Sequence, residues 1–161
     1  MHGAEHFYCS AQASSEATGF GIPSPAGFGV GNVVLATYSD ENVSAIISRH
    51  GMPRMTEKSI VRPSDLFREL EKVRRQGFAI DDEEACMGLR CIAAVVYNDC
   101  SEPMAAISVS GMTSRITDDR LLTLGATVRE VAAELTLALG GVMPEGKSSR
   151  TEWIFWMSEP T

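Results

Sequence analysis

The chain has 161 residues, enough for one domain that buries roughly 70% of the surface its unfolded form exposes, so neither disulfide nor metal is needed to supplement a small core. Its net charge is −7, with no Lys/Arg-rich block and no helix-turn-helix pattern, which argues against direct DNA contact through a cationic surface. Small organic anions stay within reach, because a few local donors hold one whatever the global charge. The four cysteines (Cys9, Cys86, Cys91 and Cys100) contain no C-x-x-C, and Cys86-x4-Cys91 is not a zinc spacing, so reduced thiols are expected. With no signal peptide and no transmembrane-length apolar run, a cytoplasmic location is expected.

In chain order, residues 1–28 read mostly as turn and loop, rich in Gly, Ala, Ser and Pro, with His6-Phe7-Tyr8-Cys9 the one strand-like run. Asn32 to Ala36 suits a short buried helix. Ser39, followed by Asp40 and Glu41, caps a second helix in which Val43, Ile46 and Ile47 recur at helical spacing up to His50 and Gly51. Ser64 opens a third, with Leu66, Leu70 and Val73 as its stripe, Phe67 beside it and Gly77 as its stop. Phe78-Ala79-Ile80 predicts a strand running into the acidic turn Asp81 to Glu84. Leu89 to Tyr97 is a long strand, apolar enough for both faces to be covered, and Met104 to Ser110 returns as its antiparallel partner. Thr117 caps the longest helix, whose inward side is predicted to be Leu121, Leu124, Val128, Val131, Ala132, Leu135 and Leu139, ending at Gly140-Gly141. Hairpin strands and helices without a βαβ repeat predict an α+β fold, an antiparallel sheet with helices packed on it.

Several residues could carry chemistry. Gly27-Phe-Gly29-Val-Gly31-Asn32 precedes a helix and is either an anion site built from free amides or a flexible turn, and it matches no nucleotide motif. Cys91 within its strand reads as a buried, unreactive thiol rather than a nucleophile, since His2, His6 and His50 lie in no pattern that suggests a catalytic base. Ser108 and Ser110 share one strand face, either toward a ligand or toward solvent. The run Asp81 to Glu84 lacks calcium-loop spacing and reads as a solvated turn, or as one fixed by an Asp side chain.

The text from Arg74 to Gly141 resembles the effector-binding domain of the IclR (isocitrate-lyase regulator) family, in particular the branch that represses the acetate (glyoxylate bypass) operon. The carriers are Gly88-Leu-Arg-Cys-Ile-Ala93, Ser108-Val-Ser-Gly111 and the glycine-led helix start Gly29 to Ala36. The resemblance implies a GAF-like fold, an antiparallel sheet flanked by helices with a pocket on one sheet face. It implies no catalysis and no cofactor. It assigns ligand contacts to Gly29, Val30, Asp81, Cys91, Ser108 and Ser110, and a small oxo-acid such as glyoxylate or pyruvate as the ligand. It also implies a homo-oligomer, dimer or tetramer, that meets DNA through a winged helix-turn-helix not present in this sequence. The expected organisation is a poorly matched segment 1–28, the effector-binding domain 29–141 and an extension 142–161.

Three departures from the family pattern stand out. Asn32 occupies a position where the family usually has Lys, and Val30 replaces a smaller residue. The family's helix and strands ahead of Gly29 have no counterpart in the text, so the sheet is either truncated or completed another way. Thr151 to Met157 is a β-prone apolar run that is expected to pair with a sheet edge or another subunit, or to form a loose tail. Two other readings remain at this point: a cysteine-dependent enzyme acting on a small carbonyl compound through Cys91, and a pure oligomerisation domain with a closed core.

Overall fold

The computed structural model describes residues 29–145 and the backbone of a strand at 8–13. The elements are β1 (Tyr8–Ala13), α1 (Gly29–Leu35), α2 (Asp40–His50), α3 (Pro63–Gln76), β2 (Ala79–Asp82), β3 (Leu89–Tyr97), β4 (Pro103–Met112) and α4 (Asp118–Ala138). The architecture is α+β. One antiparallel sheet runs in the order β1-β4-β3-β2, with α1 to α3 on one face and α4 on the other. Strand β1 pairs along β4 from Tyr8 opposite Ser110 to Ala13 opposite Ala105, so the sheet is extended by a segment from residues 1–28. Of the expected strand His6 to Cys9, its first half lies outside the described residues, as does the run Thr151 to Met157.

Alternation across the pleat sorts the two cores. Ala79, Ala93, Val95, Tyr97 and Ala106 face α1, while Ile92, Ala94, Val96 and Ile107 face α4. Both faces of β3 are therefore covered, as its apolar run requires. Helix α1 lies between the sheet and α3, with α2 against α3. That sandwiched position explains why Val33, Val34 and Leu35 are all fully buried, each worth roughly 1.5–3 kcal/mol of apolar transfer.

The helix ends follow local chemistry. Ser39 accepts a hydrogen bond from the Asn42 amide at the start of α2, and Gly77 closes α3 at φ 80, in the left-handed region. Helix α3 begins one residue earlier than expected, with Pro63 in its first turn. Thr117 sits at the cap position of α4 but makes no side-chain cap bond.

One expectation is corrected. The inward stripe of α4 is Gly125, Val128, Ala132 and Thr136 flanked by Leu121, Leu124 and Leu135, while Val131 and Leu139 are exposed. Small residues, not the largest ones, decide the contact. A Cβ at position 125 would run into the Phe78 ring, so the helix approaches the sheet where its surface is lowest. Beyond 141 the described chain keeps its contacts: the Val142 amide donates to the Asn98 carbonyl, and Met143 packs against the α1-side core.

Candidate functional site

The polar end of the α1-facing sheet surface is assembled by strand register. Asp81 on β2 is opposite Cys91 on β3, which is opposite Ser110 on β4. Ser108 lies two residues from Ser110 and opposite Ala93, so all four side chains share one face. Over them sits the first turn of α1. A Cβ on Gly29 would lie 3.3 Å from Cys91 Sγ and 3.2 Å from the Cys91 carbonyl, so the glycine is what lets the helix come this close. Of the six residues singled out in the sequence, Gly29, Asp81, Cys91, Ser108 and Ser110 converge, and Val30 follows Gly29 in the same turn, packed against the core.

The thiol of Cys91 is the meeting point. Burial pushes its pKa up, while hydrogen bonds from Ser110, Ser108 and the Gly29 amide pull the other way without reversing the direction. It is therefore a neutral thiol at neutral pH, lacking the thiolate character a nucleophile needs. Ser108 is only 3% exposed, which removes the solvated-face reading for that residue.

The acidic run divides in two, and the solvated-turn reading holds for neither of its ends. Asp81 and Glu84 are buried. Asp81 Oδ1 accepts from the Glu84 amide at 2.8 Å and the Ala85 amide at 3.4 Å, so this carboxylate fixes the turn. Desolvation still dominates and raises its pKa to about 6. The middle residues face outward: Lys58 Nζ lies 3.3 Å from Asp82 and 2.6 Å from Glu83, and Arg90 Nε donates to Asp82 at 2.6 Å. Glu83, at φ 63, turns the chain so that Glu84 comes back in. The Ser59 hydroxyl then pins the turn by donating to the Glu84 carbonyl at 2.7 Å, and Thr56 Oγ1 donates to the Glu83 carbonyl at 2.7 Å.

Two residues of the site escaped the sequence reading as contributors. Asn32, one helical turn after Gly29, is buried in α1 facing Glu84. Burial, then the neighbouring Asp81 and Glu69, push the Glu84 carboxyl up to about 8, with Asn32 opposing the rise. The available signal was a single amide side chain in the otherwise apolar text Val30 to Ala36. It registered as the end of the glycine-rich run and as a departure from a family pattern, not as a side chain of the site.

The chemistry of the site is thus short hydroxyls, one neutral thiol, an amide and two carboxyls that hold protons more readily than usual. Among the described residues no group of three His, Cys, Asp or Glu could hold a metal ion, and no helix is long and apolar enough to cross a membrane.

Residues 26–137 match the family model described as bacterial transcriptional regulator IclR C-terminal. The chain belongs to this family. The transcriptional repressor IclR of Escherichia coli (strain K12) is 45% identical over 114 residues, covering 71% of this chain and 42% of that protein. The acetate operon repressor of Salmonella typhimurium (strain LT2) is 44% identical over 113 residues, covering 70% and 41%. Among solved structures, the inducer binding domain of the PobR transcription factor from Acinetobacter, a double mutant complexed with 3-hydroxybenzoic acid, superposes at TM-score 0.63 with 26% identity, covering 67% of this chain and 64% of that one. The chain spans about two fifths of the length of these curated relatives. Those two relatives are named as repressors, and the neutral thiol of Cys91 lacks the thiolate character that a cysteine nucleophile needs. The cysteine-dependent enzyme reading is set aside.

Proposed function

We propose that this IclR-type domain senses a small carboxylic acid, in the class of glyoxylate or pyruvate, and relays its presence to a winged helix-turn-helix lying outside this sequence. The observation that carries the reading is the single row Asp81, Cys91, Ser110, with Ser108 beside it, beneath Gly29. The ligand carboxylate takes hydrogen bonds from the Ser108 and Ser110 hydroxyls and from the amides of Gly29 and Val30, among those a helix start leaves without intrahelical partners. Asp81 accepts from the ligand hydroxyl, or from the hydrated form of an aldehyde. Val30 packs beside the ligand and limits its size. Cys91, uncharged, floors the site without repelling an anion.

The signal is differential affinity. A ligand that binds one arrangement of subunits better than another shifts the population between them, and the shift cannot exceed that difference. The regulator is accordingly proposed to be a homo-oligomer in the cytoplasm, with residues 29–141 as its sensing unit, needing no cofactor and touching DNA only through the other domain. A closed oligomerisation module is a weaker reading, because such a core would not bury Asp81, Ser108 and Asn32 beside one another.

Isothermal titration of the chain with glyoxylate, pyruvate and related acids tests the reading. Saturable binding to the chain that is lost in Ser108→Val supports it. No heat from any of these acids at millimolar concentration overturns it.

A further inference from the structure

Beside the proposed site lie buried polar atoms that have no hydrogen-bond partner among the described residues. Asn32 is 1% exposed, yet neither its Oδ1 nor its Nδ2 has a hydrogen-bond partner among the described residues. Glu84 is 8% exposed, and its Oε2 likewise has none. Buried polar groups in folded proteins are nearly always paired, so three orphan atoms on two facing side chains mark a place built for something else. Elsewhere α1 closes its surroundings with Val33, Val34 and Leu35, which shows that an apolar residue fits such a position.

The character of the missing partner follows from what surrounds it. The charged groups that face Glu84 are all carboxyls: Asp81 at the end of β2, Glu69 on α3, and Asp82. Asn32 on α1 turns its amide nitrogen toward Glu84, drawing that carboxyl's pKa down, and its Oδ1 is left as an acceptor with no hydrogen-bond partner among the described residues. Two acceptor oxygens in a negative field suit a primary ammonium, which brings positive charge and three N–H donors. A second carboxylate on the ligand would be repelled there, and an alkyl end would leave the orphans unmet.

We propose that Asn32 and Glu84 form the amine-binding end of the pocket, so that the effector of this chain is an amino acid carrying a primary ammonium a few atoms from its carboxylate. This rests on the carboxylate site proposed above. Ser110 on β4 and Asp81 on β2 are separated by two strand spacings, about 10 Å in all. A carboxylate on the serines and an ammonium near Glu84 therefore bridge that span with two to four carbons and a hydrogen bond at each end.

The test is calorimetric titration of the 161-residue chain with β-alanine against propionate, flanked by glycine against acetate and 4-aminobutyrate against butyrate, with pyruvate as reference. The expected result is that at least one amino acid binds about tenfold or more tightly than its matched acid. Glu84→Gln should reduce that ratio below about threefold, as should Asn32→Leu, with thermal melts confirming that each variant is folded. The amino acid should bind more tightly as pH rises through the titration of Glu84, while the matched acid should not. Equal binding of each pair in the wild-type chain, or a preference that survives Glu84→Gln, overturns the amine subsite and leaves the carboxylate site standing. Failure of every acid to bind, pyruvate included, overturns both.

Discussion

The two faces of the sheet differ in how completely their buried polar groups are satisfied. On the α4 side every such group described above is answered. Arg90 donates to Asp82 at 2.6 Å, to the Ile116 carbonyl at 2.7 Å and to Asp118 at 2.5 Å, tying the start of α4 to the sheet. Thr136 donates to the Ala132 carbonyl at 2.8 Å and accepts from the Tyr97 amide at 3.1 Å, where the β3–β4 register shifts. On the α1 side, Asn32 and Glu84 stay unanswered, and Asp81 and Cys91 sit with pKa values raised by desolvation. A satisfied face is a scaffold, and an unsatisfied one is receptive. On the proposed reading, the sheet is a partition between a structural half and a sensing half.

The largest effect that would break this contrast belongs on the α4 side. Gly125→Val drives a side chain into the Phe78 ring, so it should lower unfolding free energy by roughly 3 kcal/mol, measured by urea titration, and reduce ligand binding only through loss of folded protein. A stable variant that has lost binding would mean the two halves are coupled more tightly than proposed. On the receptive side, Ser108→Ala should weaken acid binding by about tenfold, the equivalent of ~1.4 kcal/mol, while changing stability by less than about 1 kcal/mol. A reversed ranking, with stability lost and affinity kept, would make Ser108 a structural residue.

The pH dependence sharpens the comparison further. Asp81 and Glu84 have folded pKa values of about 6 and about 8, raised from 3.8 and 4.5. The folded chain therefore binds protons more readily than the unfolded one. The stability these two groups contribute is complete below about pH 4 and is lost as pH rises toward 8. Thermal midpoints should fall by a few degrees between pH 5 and 8, and Glu84→Gln should flatten the upper part of that decline. Binding of a plain carboxylate such as pyruvate should weaken over the same range, as both carboxyls ionise beside it. The smallest expected effect is chemical. Iodoacetamide at neutral pH should label exposed Cys86 and Cys100 before Cys91, followed by mass spectrometry, and rapid labelling of Cys91 would revive a nucleophilic role.

Much of this was legible in the residues. The bounds of β3 follow from its nearly continuous apolar run, and the start of α2 from Ser39 with Asp40 and Glu41, because strand burial and helix capping are local effects. The convergence of Asp81, Cys91, Ser108 and Ser110 came with the family resemblance, since residues from three strands are neighbours only once register is set. The inward face of α4 was misjudged at Val131 and Leu139, because periodicity reports where apolar residues are and not how closely the helix approaches. The sequence by itself determined the order of helices and strands from α1 to α4 and the ends set by Ser39 and Gly77, all governed by interactions a few residues apart. Only the tertiary structure decided that Glu84 turns inward to face Asn32, because that meeting joins residues 52 apart in the chain, and its cost depends on the desolvation that packing imposes.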